Sequence, residues 1–109
     1  MILDLDNMSE TAIKHYHGGN KDILAKMFND EHNRIMKAKL IPGASVGMHK
    51  HENNSEILFV ISGTGTATCN GNKEKLSPGV CHYCPKGLSH AVTNDGTDDL
   101  IFYAVVVNQ

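Results

Sequence analysis

Beyond residue 33 the chain is a succession of short runs of strand-like residues, each closed by glycine, proline, asparagine or aspartate. The runs fall at residues 34–41, 47–51, 56–61, 65–69, 73–76, 80–84, 91–93 and 100–107. Between them stand "PGAS", "ENNS", "SGTG", "NGN", "SPG", "PKG" and "NDGTDD", which supply the backbone freedom and local hydrogen bonds that tight reversals need. Side chains i and i+2 share one face of a strand. With Lys37 and Lys39 toward water, the first run therefore turns Arg34, Met36, Ala38 and Leu40 inward. Asn70-Gly71 is the sharpest hairpin signal, because both residues tolerate the positive φ of a type I′ turn. Ahead of residue 33 the pattern is weaker, and residues 23–28 predict one short helical turn. Many short strands with little helix predict an all-β fold, a sandwich or a small barrel.

Composition narrows this by exclusion. A chain of 109 residues builds one core, so a single domain over residues 1–109 is expected. Ten basic and twelve acidic residues give a net charge of −2, with the basic residues scattered, and no nucleic-acid partner is expected. The opening "MILDLDNMSE" carries acids where an export signal needs a basic head, and no apolar run approaches a bilayer's thickness. A soluble, cytoplasmic chain with no membrane partner is the expectation. Three cysteines, Cys69, Cys81 and Cys84, are an odd number and predict reduced thiols. Cys81 and Cys84 form a C-x-x-C, but i and i+3 on a strand face opposite sides and no second ligand pair accompanies them.

The densest chemistry lies in "GASVGMHKHENNSEILFVISG", residues 43–63. His49 and His51 share a strand face, the four residues "ENNS" predict a hairpin turn, and Glu56 would return beside the imidazoles with Leu58 and Val60 on its own face. Two histidines and a carboxylate among apolar side chains are costly unless something satisfies them, and a divalent metal does so. Residues 79–94, "GVCHYCPKGLSHAVTN", read as a second hairpin that presents His90. His15 and His17 also form an H-x-H, but no carboxylate follows at matching distance, and they are not expected to bind metal.

In these two segments the chain resembles the cupin family. One cupin motif is glycine, five residues, H-x-H, three or four residues, glutamate, six residues, glycine; Gly43, His49, His51, Glu56 and Gly63 match it. The other is glycine, five residues, P-x-G, two residues, histidine, three residues, asparagine; Gly79, Pro85, Gly87, His90 and Asn94 match it. The resemblance covers residues 33–107, the expected barrel core, and leaves residues 1–32 as an N-terminal segment. It implies a small antiparallel jelly-roll β-barrel, with His49, His51, Glu56 and His90 binding one divalent transition metal ion inside. Three imidazoles and a carboxylate suit Mn, Fe, Co, Ni, Cu or Zn alike. It also implies a small-molecule ligand or substrate, handled either by oxygenase, isomerase or lyase type chemistry or by binding alone, since the fold does not dictate the reaction.

The surroundings of the four residues are less determined by sequence. Arg34 either salt-links an anionic substrate or is solvated at its strand's start, and Met48 is read as packing. On residues 80–84, Cys81 and Tyr83 share one face while Val80, His82 and Cys84 share the other. Tyr83 is a candidate proton donor if the first face lines the pocket, and His82 a candidate general base if the second does. Asn94 is expected to anchor its hairpin through the side-chain amide. Exposed sheet edges and the long apolar strand at 100–107 predict a homodimer.

Overall fold

In the computed structural model, which describes residues 1–109, ten strands form two antiparallel sheets. They are β1 (Thr11–Lys14), β2 (Asp22–Asn29), β3 (Asn33–Leu40), β4 (Ser45–Lys50) and β5 (Asn54–Ser62), then β6 (Gly65–Cys69), β7 (Asn72–Leu76), β8 (Cys81–Cys84), β9 (Ser89–Thr93) and β10 (Leu100–Asn108). One sheet has the order β1-β2-β3-β10-β5-β8 and the other β4-β9-β6-β7. The arrangement is the expected jelly roll, with short helical turns only at Leu5–Asn7 and Tyr16–Gly18.

Alternation decides what each strand buries. Met36, Ala38 and Leu40 of β3 point inward and are sealed, together with Leu58 and Val60 of β5 and Phe102 and Ala104 of β10. Asn70 and Gly71 have φ of 51° and 80°, the left-handed pair expected of the β6–β7 turn.

The structure corrects the helical expectation for residues 23–28, which lie within β2. Apolar side chains at positions 23, 24, 25, 27 and 28 fit either period. The ladder decides, because β2 pairs with β1 on one side and β3 on the other, and Ile23 and Ala25 enter the core two residues apart. The first thirty residues thus supply core.

The two expected hairpins are also corrected. His49 and Glu56 stand on different sheets, as do Cys84 and His90, so each connection is a corner from one sheet to the other. Backbone bonds show why. The His51 amide donates to the Leu88 carbonyl at 3.0 Å and the Gly87 amide to the His51 carbonyl at 2.6 Å, so the two corners bond to each other. Glu56 pairs instead with Val106 and Cys84.

Asn94 ties the far end together and is fully buried. Its Nδ2 donates to the Leu40 and Asp98 carbonyls at 2.8 Å each, and its Oδ1 accepts from the Gly96 amide at 3.0 Å. Replacing it leaves those three backbone groups without partners. Asn94→Ala is expected to lower unfolding free energy by about 3 kcal/mol in urea denaturation; a loss below about 1 kcal/mol would contradict the anchoring role.

Candidate metal centre

A bulge sets the first histidine. On β4 the ladder to β9 shifts between Val46 and His49, so Val46 and His49 both face inward although they are three positions apart, and Met48 turns out to solvent. Met48 is therefore exposed, a correction to its reading as a packing residue. His49 lies directly opposite His90 of β9. His51 follows β4 at the corner, and Glu56 reaches across from β5 on the other sheet.

The donor atoms of His49, His51, Glu56 and His90 all lie within 4.8 Å of one another. Nε2 of His90 is 3.2 Å from Nε2 of His49, 3.0 Å from Nε2 of His51 and 2.9 Å from Oε1 of Glu56. The other ring nitrogens are occupied on the outside. His49 Nδ1–H donates to the Gly47 carbonyl at 2.7 Å, His51 Nδ1–H to Asn54 Oδ1, and His90 Nδ1 lies 3.0 Å from Nε2 of His82. Each outer contact favours the Nδ1–H tautomer and turns an Nε2 lone pair inward. Three imidazole nitrogens and one carboxylate oxygen in this orientation fit a divalent transition metal.

Electrostatics follow the same geometry. Burial pushes the Glu56 carboxyl up, but the His51 and His90 rings, whose Nε2 atoms stand 3.2 and 2.9 Å away, outweigh it and hold the group at about 2. Burial lowers His49 to about 4. His51 moves the other way, raised by its hydrogen bond to Glu56.

These donors lie in a cavity of about 480 Å³, within the range of small-molecule sites. Ile23, Met36, Val46, Leu58 and Phe102 form its apolar wall; the polar part comes largely from residues that sequence reasoning did not select. Tyr16, His17, Asn29 and Asp30 all line the cavity. The His17 ring stacks on His49 at 3.8 Å between centroids and 12° between planes, outside the four-donor group. Gly47 permits this approach, since a Cβ there would stand 2.0 Å from the His17 carbonyl oxygen. The Gly18-Gly19 pair and the single Gly47 are suited to close backbone contact, but sequence does not bring them together.

Arg34 also lines the cavity, where its Nη1 donates to the Tyr16 hydroxyl at 2.7 Å and its Nε to Asn29 Oδ1 at 2.9 Å. Neither Tyr83 nor His82 does. Tyr83 lies 53% exposed on the outer face of β8, and His82, 2% exposed, sits behind His90 with both ring nitrogens engaged.

The chain matches the family model described as "Cupin domain" over residues 36–106. It belongs to the cupin family. A Thermotoga maritima cupin described as an oxalate-binding protein is 32% identical over 98% of this chain and 93% of its own length. A crystal structure described as a predicted oxalate decarboxylase from the same organism superposes with a TM-score of 0.93 at 29% identity, with all of both chains covered. The cupin domain of Schizosaccharomyces pombe Cnp3 gives 0.82 at 13% identity, over all of this chain and 74% of that one. No helix is long and apolar enough to cross a membrane.

In the metal-free protein, proton-detected histidine titrations are expected to separate His49, near about 4, from His51, above its ordinary 6.5. Because His51 is raised, its stabilising contribution is present below pH 6.5 and lost as pH rises through the folded-state midpoint. Glu56→Gln should bring the His51 midpoint down. An unchanged His51 midpoint in that variant would contradict the Glu56 contact as its cause.

Proposed function

We propose that this cupin binds one divalent transition metal through His49, His51, Glu56 and His90 and uses it, with Arg34, to hold a small carboxylate anion of the oxalate class. The observation that carries the reading is one cavity with four converging donors and a guanidinium in its lining. When bound, the metal supplies a positive Lewis-acid centre that fixes and polarises a carboxylate oxygen. Arg34 adds a fixed cation with donors left over after its bonds to Tyr16 and Asn29. The apolar wall excludes water and strengthens both attractions. A molecule the size of oxalate fits easily in about 480 Å³.

Turnover and binding alone divide at the proton-transfer groups. Asp30 accepts the His32 and Asn33 amides, which hold its carboxyl below the ordinary range, so it stays ionised, carries no proton to donate and is a weak base. Burial lowers His17, which leaves a neutral imidazole beside His49 as the cavity's available base. A lyase role would rest on His17. The binding-only role has the Thermotoga relative's description in its favour. The whole chain acts as one domain in this reading, in the cytoplasm, where Cys69, Cys81 and Cys84 remain thiols. A homodimer would cover exposed Phe59, Ile61 and Tyr83 beside the sheet edge at β8.

Elemental analysis of the purified protein should find close to one equivalent of transition metal, and none in the His49→Ala, His90→Ala double variant. Equal metal in both, or none in either after loading, removes the metal assignment. Affinity for the metal found should fall from about pH 8 to about pH 5, since protons compete for His51 from above its ordinary midpoint.

Calorimetry with oxalate on the metal-loaded protein should show binding that Arg34→Met weakens about 10-fold or more. No heat with oxalate or with longer dicarboxylates would remove the ligand assignment. Formate and carbon dioxide released from bound oxalate would establish turnover, whereas oxalate recovered intact establishes the binding role.

A further inference from the structure

Behind His90, away from the cavity, two polar side chains continue the line of the cluster. His82 of β8 comes from the six-stranded sheet and reaches toward the four-stranded one, where Glu74 of β7 and His90 of β9 meet it from either side. His82 Nδ1–H donates to Glu74 Oε1 at 2.8 Å, and His82 Nε2 lies 3.0 Å from His90 Nδ1. The two rings are stacked, with centroids 5.2 Å apart and planes 14° apart. The His82 side chain is 1% exposed and that of Glu74 48%, so the chain runs from solvent to the buried face of the cluster.

The proton placement along this chain is determined by its ends. A carboxylate only accepts, so His82 carries a proton on Nδ1. A His90 that offers its Nε2 lone pair to a metal must carry its own proton on Nδ1, and that proton needs an acceptor. His82 Nε2 is the atom in reach. A leucine of similar volume would fill the space without burying two ring nitrogens, so packing gives no reason for the histidine. Carboxylate, imidazole and imidazole thus align with donors pointing outward at each step.

We propose that Glu74 and His82 are positioning residues that fix His90 in its metal-binding tautomer and raise its donor strength toward a divalent ion. This rests on the metal-binding reading above. His82, a candidate general base from sequence, acts in this view through His90 and never touches a ligand in the cavity. Outer-shell partners of this kind contribute about 10- to 100-fold in metal affinity.

The test uses Co(II) as the probe, titrated into metal-free parent, Glu74→Ala and Glu74→Gln proteins and followed by visible absorption against a competing chelator. Nitrogen chemical shifts of the His82 and His90 rings are recorded before metal is added. Glu74 is half exposed, so both variants should melt close to the parent without metal. The relay predicts about 10-fold weaker Co(II) binding in Glu74→Ala, with a shifted cobalt band and His82 nitrogen shifts that report mixed tautomers. Glu74→Gln keeps an acceptor oxygen and should fall between the two.

Co(II) affinity and nitrogen shifts equal to the parent in Glu74→Ala would overturn the relay alone. Weaker binding with unmoved nitrogen shifts would overturn it too, since loss of a distant negative charge then accounts for the effect. A parent that binds no Co(II) would instead overturn the metal-binding reading and the relay with it.

Discussion

A carboxylate sealed between two sheets constrains this molecule more than any other group. Glu56 is almost fully buried on a strand whose inward neighbours, Leu58 and Val60, are apolar. An ionised carboxylate in such a place is tolerated only with close positive or hydrogen-bonding partners. Those partners, His51 and His90, belong to the opposite side of the molecule, so satisfying Glu56 requires the two sheets to be brought together there. The corner bonds between His51 and the turn at residues 85–88 bring this about, and the bulge at Gly47–Met48 adds His49 to the same spot. Closure of the fold and assembly of the donor cluster are therefore one event.

The sequence showed this cluster plainly and its construction poorly. Histidines and a glutamate at fixed intervals, bounded by glycines in turns, are local facts, and all four residues meet in space. How they meet is non-local. A four-residue link with Asn53 and Asn54 looks the same whether it closes a hairpin or turns a corner, and only the partner strands of Glu56 distinguish the two. Likewise the parity of His49 depends on a bulge at Gly47, a residue that lies against the backbone of residue 17, thirty positions earlier. Alternation served where strands are regular, as in β3, where Arg34, Met36, Ala38 and Leu40 share the inner side.

The same distinction explains the residues that were missed. The segment before residue 33 has no signature spacing, and its apolar positions fit a helix as well as a strand. Once β2 is placed by its two neighbours, Tyr16, His17, Asn29 and Asp30 arrive at the cavity together. Three of the left-handed residues ahead of β2 are not glycine: His15, His17 and Lys21, with φ of 48°, 53° and 56°. Such conformations are uncommon for side chains of this size and persist when surrounding contacts enforce them. Here the enforcing contacts include the stack on His49 and the tight approach to Gly47.

A division of labour along the chain follows. The donors that would hold a metal come from the two spaced motifs, while the groups that would meet a ligand beyond it come from β3 and the segment before it. Arg34 is held by Tyr16 and Asn29, and His17 lies against His49, so in the proposed reading the N-terminal segment would set both the charge and the shape presented to a small molecule. Changes at Tyr16 or Asn29 would alter how Arg34 meets an anion without breaking a hydrogen bond to any of the four donors, whereas changes at His17 would also reach His49 through the stacked rings. This is a physical reason why cupins with the same donor set need not share a ligand. If the proposed anion site is correct, its specificity would rest on residues that the motifs do not contain.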